Sequence, residues 1–499
     1  MHNRRIILNA IMSVAQIVVT GGILFVLYRF LLVTIGAEQL GIWSLVAATT
    51  SVIYVMGNLG LSSSVIKYVA KYKARNDFKN VSYVIQTAVI SVTVLVSFLL
   101  VIGYPFFKLL FQLIFPAQAV PAALSILPYA LLSVLFFMIA DIFQSSLYGL
   151  QRIDLSSYPL MVKGIVNLVL CLVLIPKYGL LGMAYAGVIQ NLLSLIISWF
   201  LLNRQMPFLP FFFYRWSKNT FKKIIFYGMN SQIISIATIL SDFVTKALLS
   251  KFGGLSMVGF YEMASKMVQQ FRAVIVSANQ VVVPTIADMT ESAPEKIRAF
   301  YLRSYELLFY LALPLFSLII ICAPIISEIW IGYYERIFVF SAMLLSIGWF
   351  LNTLAIPAYF ANSGMGELRW NVISNILMAA INAGTGLVLG YLYGGFGVIF
   401  AWIIALSLGN SLVYICFHIK HKISFSELIP KASRILMLVC VIGTVSALII
   451  NIKFNSESIA SMLNRIVMIV FAVVVFVPFW LHPLRKSLVR WAYNAFQYK

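Results

Sequence analysis

The residues of this chain best placed to do chemistry are ionisable groups set inside long apolar segments: Arg29, Asp141, Lys163, Asp242, Lys246, Glu262, Lys266 and Arg272. An arginine or lysine at the centre of a membrane helix costs about 2.5–3.5 kcal/mol on insertion scales, so such a group faces a cavity or a partner. Two chemistries fit. The cations Arg272, Lys246, Lys266, Arg29 and Lys163 could hold an anionic ligand, a phosphate above all, through charge-assisted hydrogen bonds. The acids Asp242 and Glu262 could take a coupling cation or a proton. Spacing leaves a plainer reading open as well, because Asp242 with Lys246 and Glu262 with Lys266 stand at i, i+4 and can pair on their own helices. Arg29 and Lys163 sit close enough to span ends to snorkel.

Neutral polar groups recur in the same segments at helical steps. Trp43, Thr50, Tyr54, Asn58 and Ser62 form one stripe; Asn9, Ser13, Gln16 and Thr20 form a second; Asn371, Asn375, Met378 and Asn382 form a third. Three- and four-residue steps put each set on one helix face. In a bilayer such a face looks at other helices or at a water-filled cavity, and both remain open. Three stripes favour a shared lumen, with Asn58, Tyr54, Thr50, Gln16, Asn375 and Asn382 as its polar lining.

The elements that must carry these residues are membrane helices. The chain of 499 residues is 62% hydrophobic and 10% charged, with mean hydropathy +0.97. A soluble domain has about 25% charged residues, so this is a polytopic membrane protein. At about 20 apolar residues per crossing, the chain accommodates about 14 spans, and no soluble catalytic domain fits in what remains. Met1-His2-Asn3-Arg4-Arg5 opens like a signal peptide, but the apolar stretch from Ile6 is too long for one and reads as the first span.

The net charge of +21 is not a nucleic-acid signature. Lysine and arginine gather in alternate loops: Lys67 to Lys79, Arg204 to Lys223, Lys296 to Arg303, Lys420 to Arg434, and Arg485 to Arg490. This is the positive-inside pattern, and it puts both termini in the cytoplasm. Cys171, Cys322, Cys416 and Cys440 are isolated, and the four histidines, His2, His418, His421 and His482, lie in loops or at ends, so no metal site is expected. No GxxxxGK[ST] loop offers a nucleotide engine.

The chain also repeats itself at about 215 positions. Gly149 answers Gly364, Asn167 answers Asn382, and Tyr178 to Gly182 (YGLLG) answers Tyr393 to Gly397 (YGGFG). Upstream, Gly36 to Trp43 (GAEQLGIW) echoes Gly254 to Tyr261 (GLSMVGFY). Duplicated bundles are what secondary transporters are often built from. The expected architecture is all-α: two pseudo-symmetric six-helix bundles at 1–203 and 224–420, a basic cytoplasmic linker at 204–223, and two appended helices with a basic tail at 421–499.

IGAEQLGIWSL, GNLGLSSSVIKYVAKYKARND, YGLQRIDLSSYPLMVKGIVNLVLCLVLIPKYGLLGMAYA and NSGMGELRWNVISNILMAAINAGTGLVLGYLYGGFGVIFAW, in that order, cover most of the chain. On these the chain resembles bacterial polysaccharide (O-antigen-type) flippases of the multidrug/oligosaccharidyl-lipid/polysaccharide exporter superfamily. The resemblance implies a multi-pass protein of the bacterial cytoplasmic membrane. It implies movement of an undecaprenyl-pyrophosphate-linked oligosaccharide to the outer leaflet by alternating access, with Na+ or H+ as coupling ion and no other cofactor. The implied partners are membrane lipids, a polysaccharide polymerase and glycosyltransferases. Many relatives look to carry an aspartate where this chain has Asn58, so coupling would have to run through another acid, Asp242 first. Two rival readings are an ion-coupled antiporter of organic cations in the same superfamily, and a non-transporting partner or enzyme of polysaccharide assembly. The antiporter is disfavoured by the cationic spans and the two extra spans, and an enzyme by the absence of large loops, while the non-transporting partner stays open.

Overall fold

In the computed structural model of the chain, residues 2–486 are described apart from 208, 211–212, 280–281, 429–430 and 454–456, with side chains from Gln16 onward except at scattered positions. Arg490 and the side chains of Asn9 and Ser13 lie outside the described residues. By contacts the chain divides into two compact units, 1–259 and 260–499. Among the described residues, ten helices are long and apolar enough to cross a membrane, and none forms a strand.

The first unit runs through α1 (His2–Asn58), α2 (Leu61–Ala74), α3 (Phe78–Ile114), α4 (Val120–Gly149), α5 (Ile153–Tyr178), α6 (Leu180–Gln205) and α7 (Lys218–Gly253), and takes in the start of α8 (Leu255–Asn279). The second continues α8 into α9 (Val282–Ser292), α10 (Ile297–Trp330), α11 (Arg336–Thr353), α12 (Ile356–Gly364), α13 (Arg369–His421), α14 (Phe425–Leu428), α15 (Arg434–Lys453) and α16 (Glu457–Leu481). The basic stretch 204–223 therefore lies within the first unit.

Two long helices are bent rather than looped, and the bends are the repeated glycines. α1 breaks at Gly36 with φ 81, ψ 168, and the α7–α8 junction at Gly254 has the same pair of angles. Gly179, between α5 and α6, has φ 57, ψ −131; Gly394, inside α13, has φ 65, ψ −151. A side chain at positive φ costs about 1–2 kcal/mol, which explains why glycine sits at both members of each pair. α11 gives way to α12 after Thr353, where Pro357 lacks the N–H needed to continue α11.

Helices in lipid gain little from burying apolar surface, so close approach and polar seams hold them together. In the first unit, Gly60 and Gly228 meet backbone to backbone, as do the turns around Gly41 and Gly259, where a Cβ on either glycine would strike the carbonyl of Leu255 or Ala37. Ser64 Oγ donates to the Ile224 carbonyl at 2.6 Å, and Gln232 Nε2 donates to the Val55 carbonyl. These contacts bind α7 to α1 and α2. Between α4 and α6, Gln144 donates to Ser194 and Ser198, and Asn191 donates to Ser133 at 2.6 Å. An aliphatic core of Leu61, Val65, Val69, Val84, Ile85, Ala88, Met138, Ile142 and Leu147 fills the space among α2, α3 and α4.

Candidate functional site

In the first unit the polar stripe of α1 converges on Asp141 of α4. Asp141 Oδ2 accepts from Tyr54 Oη at 3.2 Å, Asn58 Nδ2 at 3.4 Å and Ser62 Oγ at 2.5 Å. Asn58 Nδ2 also reaches Tyr54 Oη (3.1 Å) and Ser62 Oγ (3.0 Å), while Asn58 Oδ1 accepts from the Ser62 amide at 3.2 Å. The helix spacing of 54, 58 and 62 survives a chain break between α1 and α2, where Leu59 (φ 46) and Gly60 (φ 72) are both left-handed. Lys163 of α5 completes the group. Its ammonium lies 4.4 Å from the centre of the Phe137 ring, and that ring packs on Tyr54 at 5.2 Å. The lysine's charge reaches Asp141 without forming an ion pair. A carboxylate, an ammonium and three neutral donors thus share one buried site.

In the second unit the corresponding feature is a cation. Arg272 of α8 is half-buried, with Nη2 donating to Asn352 Oδ1 at 2.9 Å and its guanidinium 4.4 Å from the centre of the Trp349 ring. It makes no ion pair among the described residues. Arg272 Nε and Trp349 Nε1 are both shielded from solvent and donate to nothing. A guanidinium and an indole with unused N–H groups, and no carboxylate, can receive an anion.

The remaining predicted residues are placed as follows. Lys246 pairs with Asp242 at 2.8 Å, and Lys266 with Glu262 at 3.5 Å, both along their own helices. Expected as ligand cations and coupling acids, these four neutralise one another, because the i, i+4 geometry supplies the nearest counter-charge. Thr50 Oγ1 donates back to the Ala47 carbonyl at 3.0 Å, and Gln16 contributes its carbonyl to Thr20. Arg29 is exposed. Asn375 and Asn382 are buried. Asn375 Nδ2 donates to the Asn371 carbonyl at 2.8 Å, Ser374 Oγ to the Gly409 carbonyl at 2.9 Å, and Gly409 packs on Met378. Of this third stripe, Met378 packs against Gly409 in the other arm of α13, while Asn371 bonds α12 through Asn362, Ser363 and the Tyr359 carbonyl. The sequence singles out Asp141 as an acid inside a span without giving it a role, and does not point to Asn352 or Trp349. Nothing in the helix of Asp141 indicated that the Tyr54–Asn58–Ser62 stripe would turn toward it.

The fold is that of the multidrug/oligosaccharidyl-lipid/polysaccharide transporters. A multidrug resistance MATE family transporter of the MOP superfamily, in an inward-facing conformation, superposes with a TM-score of 0.71 at 17% identity, covering 80% of this chain and 94% of that one. The lipid II flippase MurJ, in an inward closed conformation, gives 0.66 at 14% identity, covering 94% of this chain and 99% of that one. Residues 6–290 match the polysaccharide biosynthesis protein family, and the chain belongs to that family. A Shigella flexneri protein described as "Putative O-antigen transporter" is 21% identical over 191 residues, 38% of this chain. The chain spans 44% of that curated relative's length. The chain is a multi-pass membrane protein whose relatives are transporters and flippases rather than enzymes.

Proposed function

We propose that this protein is a flippase that carries an undecaprenyl-pyrophosphate-linked oligosaccharide across the bacterial cytoplasmic membrane by alternating access, for synthesis of a surface polysaccharide such as O-antigen, capsule or exopolysaccharide. Family membership supports the pathway. The observation that carries the reading of the cargo is Arg272: a guanidinium inside a span with no ion pair among the described residues, whose Nε–H and the neighbouring indole N–H both lack an acceptor. A pyrophosphate supplies the acceptor oxygens these donors lack, while the sugars follow through polar surroundings and the polyprenyl tail remains in lipid. Lys163 is a second cation with no ion pair among the described residues. An exporter of organic cations would need an acid free to face its ligand; Asp242 and Glu262 are held by lysines, and Asp141 is engaged by three hydrogen-bond donors and faces Lys163.

The test is reconstitution of the purified full-length chain in liposomes holding a fluorescent polyprenyl-pyrophosphate-linked disaccharide, with transfer between leaflets read by a membrane-impermeant quencher. Translocation by the protein alone supports the flippase and removes the non-transporting partner role. Transport of a cationic dye with no movement of the pyrophosphate lipid would replace this reading with the antiporter.

A further inference from the structure

The Asp141 cluster does something that binding alone does not require: it bridges the break between helices α1 and α2. Tyr54 and Asn58 belong to the last turn of α1, Ser62 to the first turn of α2, and the two left-handed residues Leu59 and Gly60 lie between them. All three side chains donate to one oxygen, Asp141 Oδ2, at 3.2, 3.4 and 2.5 Å. A single carboxylate therefore fastens both sides of the break to α4. Oδ1 of the same carboxylate takes part in none of these bonds. Among the described residues, the titratable groups acting on Asp141 are Tyr54 from α1 and Lys163 from α5; α2, α3 and α6, also packed on α4, add none.

We propose that Asp141 is a proton-binding site that sets the α1–α2 break. A proton from water adds to Oδ1, the carboxylate becomes a neutral acid, and the site gains one positive charge. Hydrogen bonds to an ionised acceptor are roughly twice as strong as neutral ones, so the three that hold the break weaken together. Lys163 at the same moment loses the negative charge it faces. A metal cation is a poorer occupant. The Lys163 ammonium repels it, the three neighbours present donors to the oxygen it would need, and no cluster of three metal-ligating side chains exists among the described residues. Asp242 and Glu262 are unsuited to the role because each already has a lysine at ion-pair distance. The site is independent of which cargo the protein carries.

The experiment uses the purified full-length protein in lipid nanodiscs, with no cargo. Infrared difference spectra between acid and neutral pH should contain a protonated-carboxyl band that Asp141→Asn removes and Asp242→Asn keeps. Hydrogen exchange of the peptide spanning residues 55–66, corrected for the intrinsic pH dependence of exchange, should rise on acidification in the wild type and be insensitive to pH in Asp141→Asn. Ser62→Ala leaves the acid in place and guards against a folding defect in the aspartate variant; it should keep the band and shift its midpoint. A band undiminished in Asp141→Asn, an equal exchange response in that variant, or an unmoved midpoint in Ser62→Ala would each overturn the proposal. Failure of the translocation assay would leave these readouts unaffected, so the two readings fail separately.

Discussion

Replacing Arg272 by methionine separates a ligand-binding cation from a structural one, because the two predict opposite balances of stability and transport. The variant loses the hydrogen bond to Asn352, worth about 1.5–3 kcal/mol for a charged donor, and the contact over Trp349, worth about 2 kcal/mol when desolvated. Against that loss, an unpaired guanidinium inside the membrane costs about 2.5–3.5 kcal/mol, and its unsatisfied Nε–H about 1–3 kcal/mol more. Methionine fills similar space without either cost. The sums overlap, so thermal unfolding of Arg272→Met in detergent should fall within about 2 kcal/mol of wild type. Transport should not. Losing one charged hydrogen bond to a pyrophosphate, at about 1.5–3 kcal/mol, weakens cargo binding by about 10- to 150-fold. Arg272→Lys, which keeps the charge but not the planar fork, should fall between. The measurements are melting temperature and leaflet transfer of the fluorescent pyrophosphate lipid per folded molecule. An Arg272→Met protein destabilised well beyond this range, with undiminished transfer per folded molecule, would refute the reasoning.

Three further outcomes are expected. Gly60→Ala puts a Cβ at φ 72 into the Gly228 backbone, which combines about 1–2 kcal/mol of backbone strain with about 1–3 kcal/mol of overpacking; its melting temperature should drop while Gly22→Ala, with open space around it, barely changes. Asp242→Asn removes the carboxylate at ion-pair distance from the buried Lys246; because Asp242 is 41% exposed the cost should lie below the about 3–5 kcal/mol of a fully buried pair, and adding Lys246→Met should recover most of it. Asp77 caps α3 by accepting from the Asn80 amide at 3.1 Å, and its bonds to Asn80 hold its carboxyl below the ordinary value. A depressed folded-state value means that this stabilisation is present at neutral pH and lost as the pH falls through the acidic range where Asp77 takes up its proton; Asp77→Ala should abolish that part of the acid dependence of unfolding, and an unchanged profile would deny the cap.

The backbone of this protein was more legible in its sequence than the side-chain site. Gly36 with Gly254, and Gly179 with Gly394, were readable as repeat partners because left-handed and related dihedrals exclude other residues on steric grounds, and the angles agree between partners. The i, i+4 pairs of Asp242 with Lys246 and Glu262 with Lys266 were legible for the same kind of reason: both members lie on one helix. Arg272 was readable as a buried cation, but its neighbours Asn352 and Trp349 stand some 80 positions away on α11, and no local spacing points to them. The stripe at Asn371, Asn375 and Asn382 shows the complementary limit. Its spacing establishes a polar face but not what that face meets: Asn371 bonds residues of α12, and Met378, on the same stripe, packs on Gly409 in the other arm of α13.

Asn58 brings the two kinds of information together. Its amide nitrogen lies 3.4 Å from Asp141 Oδ2, so a carboxylate at position 58 would stand against the one on α4. Two like charges about 4 Å apart repel by about 4 kcal/mol at an effective dielectric constant of 20, or one of them stays protonated. Asn58→Asp alone should therefore lower the melting temperature at neutral pH, and more so at alkaline pH, where both acids are driven to ionise. Combining it with Asp141→Asn restores one acid and one amide across the same contact, with Tyr54 and Ser62 still within reach of either. If the cluster acts as a unit whose requirement is a single carboxylate beside the α1–α2 break, the swapped protein should regain both stability and transport relative to Asn58→Asp. A double variant no better than the worse of its two parents would show instead that the carboxylate must come from α4, and that Lys163, which faces Asp141, fixes where the charge has to be.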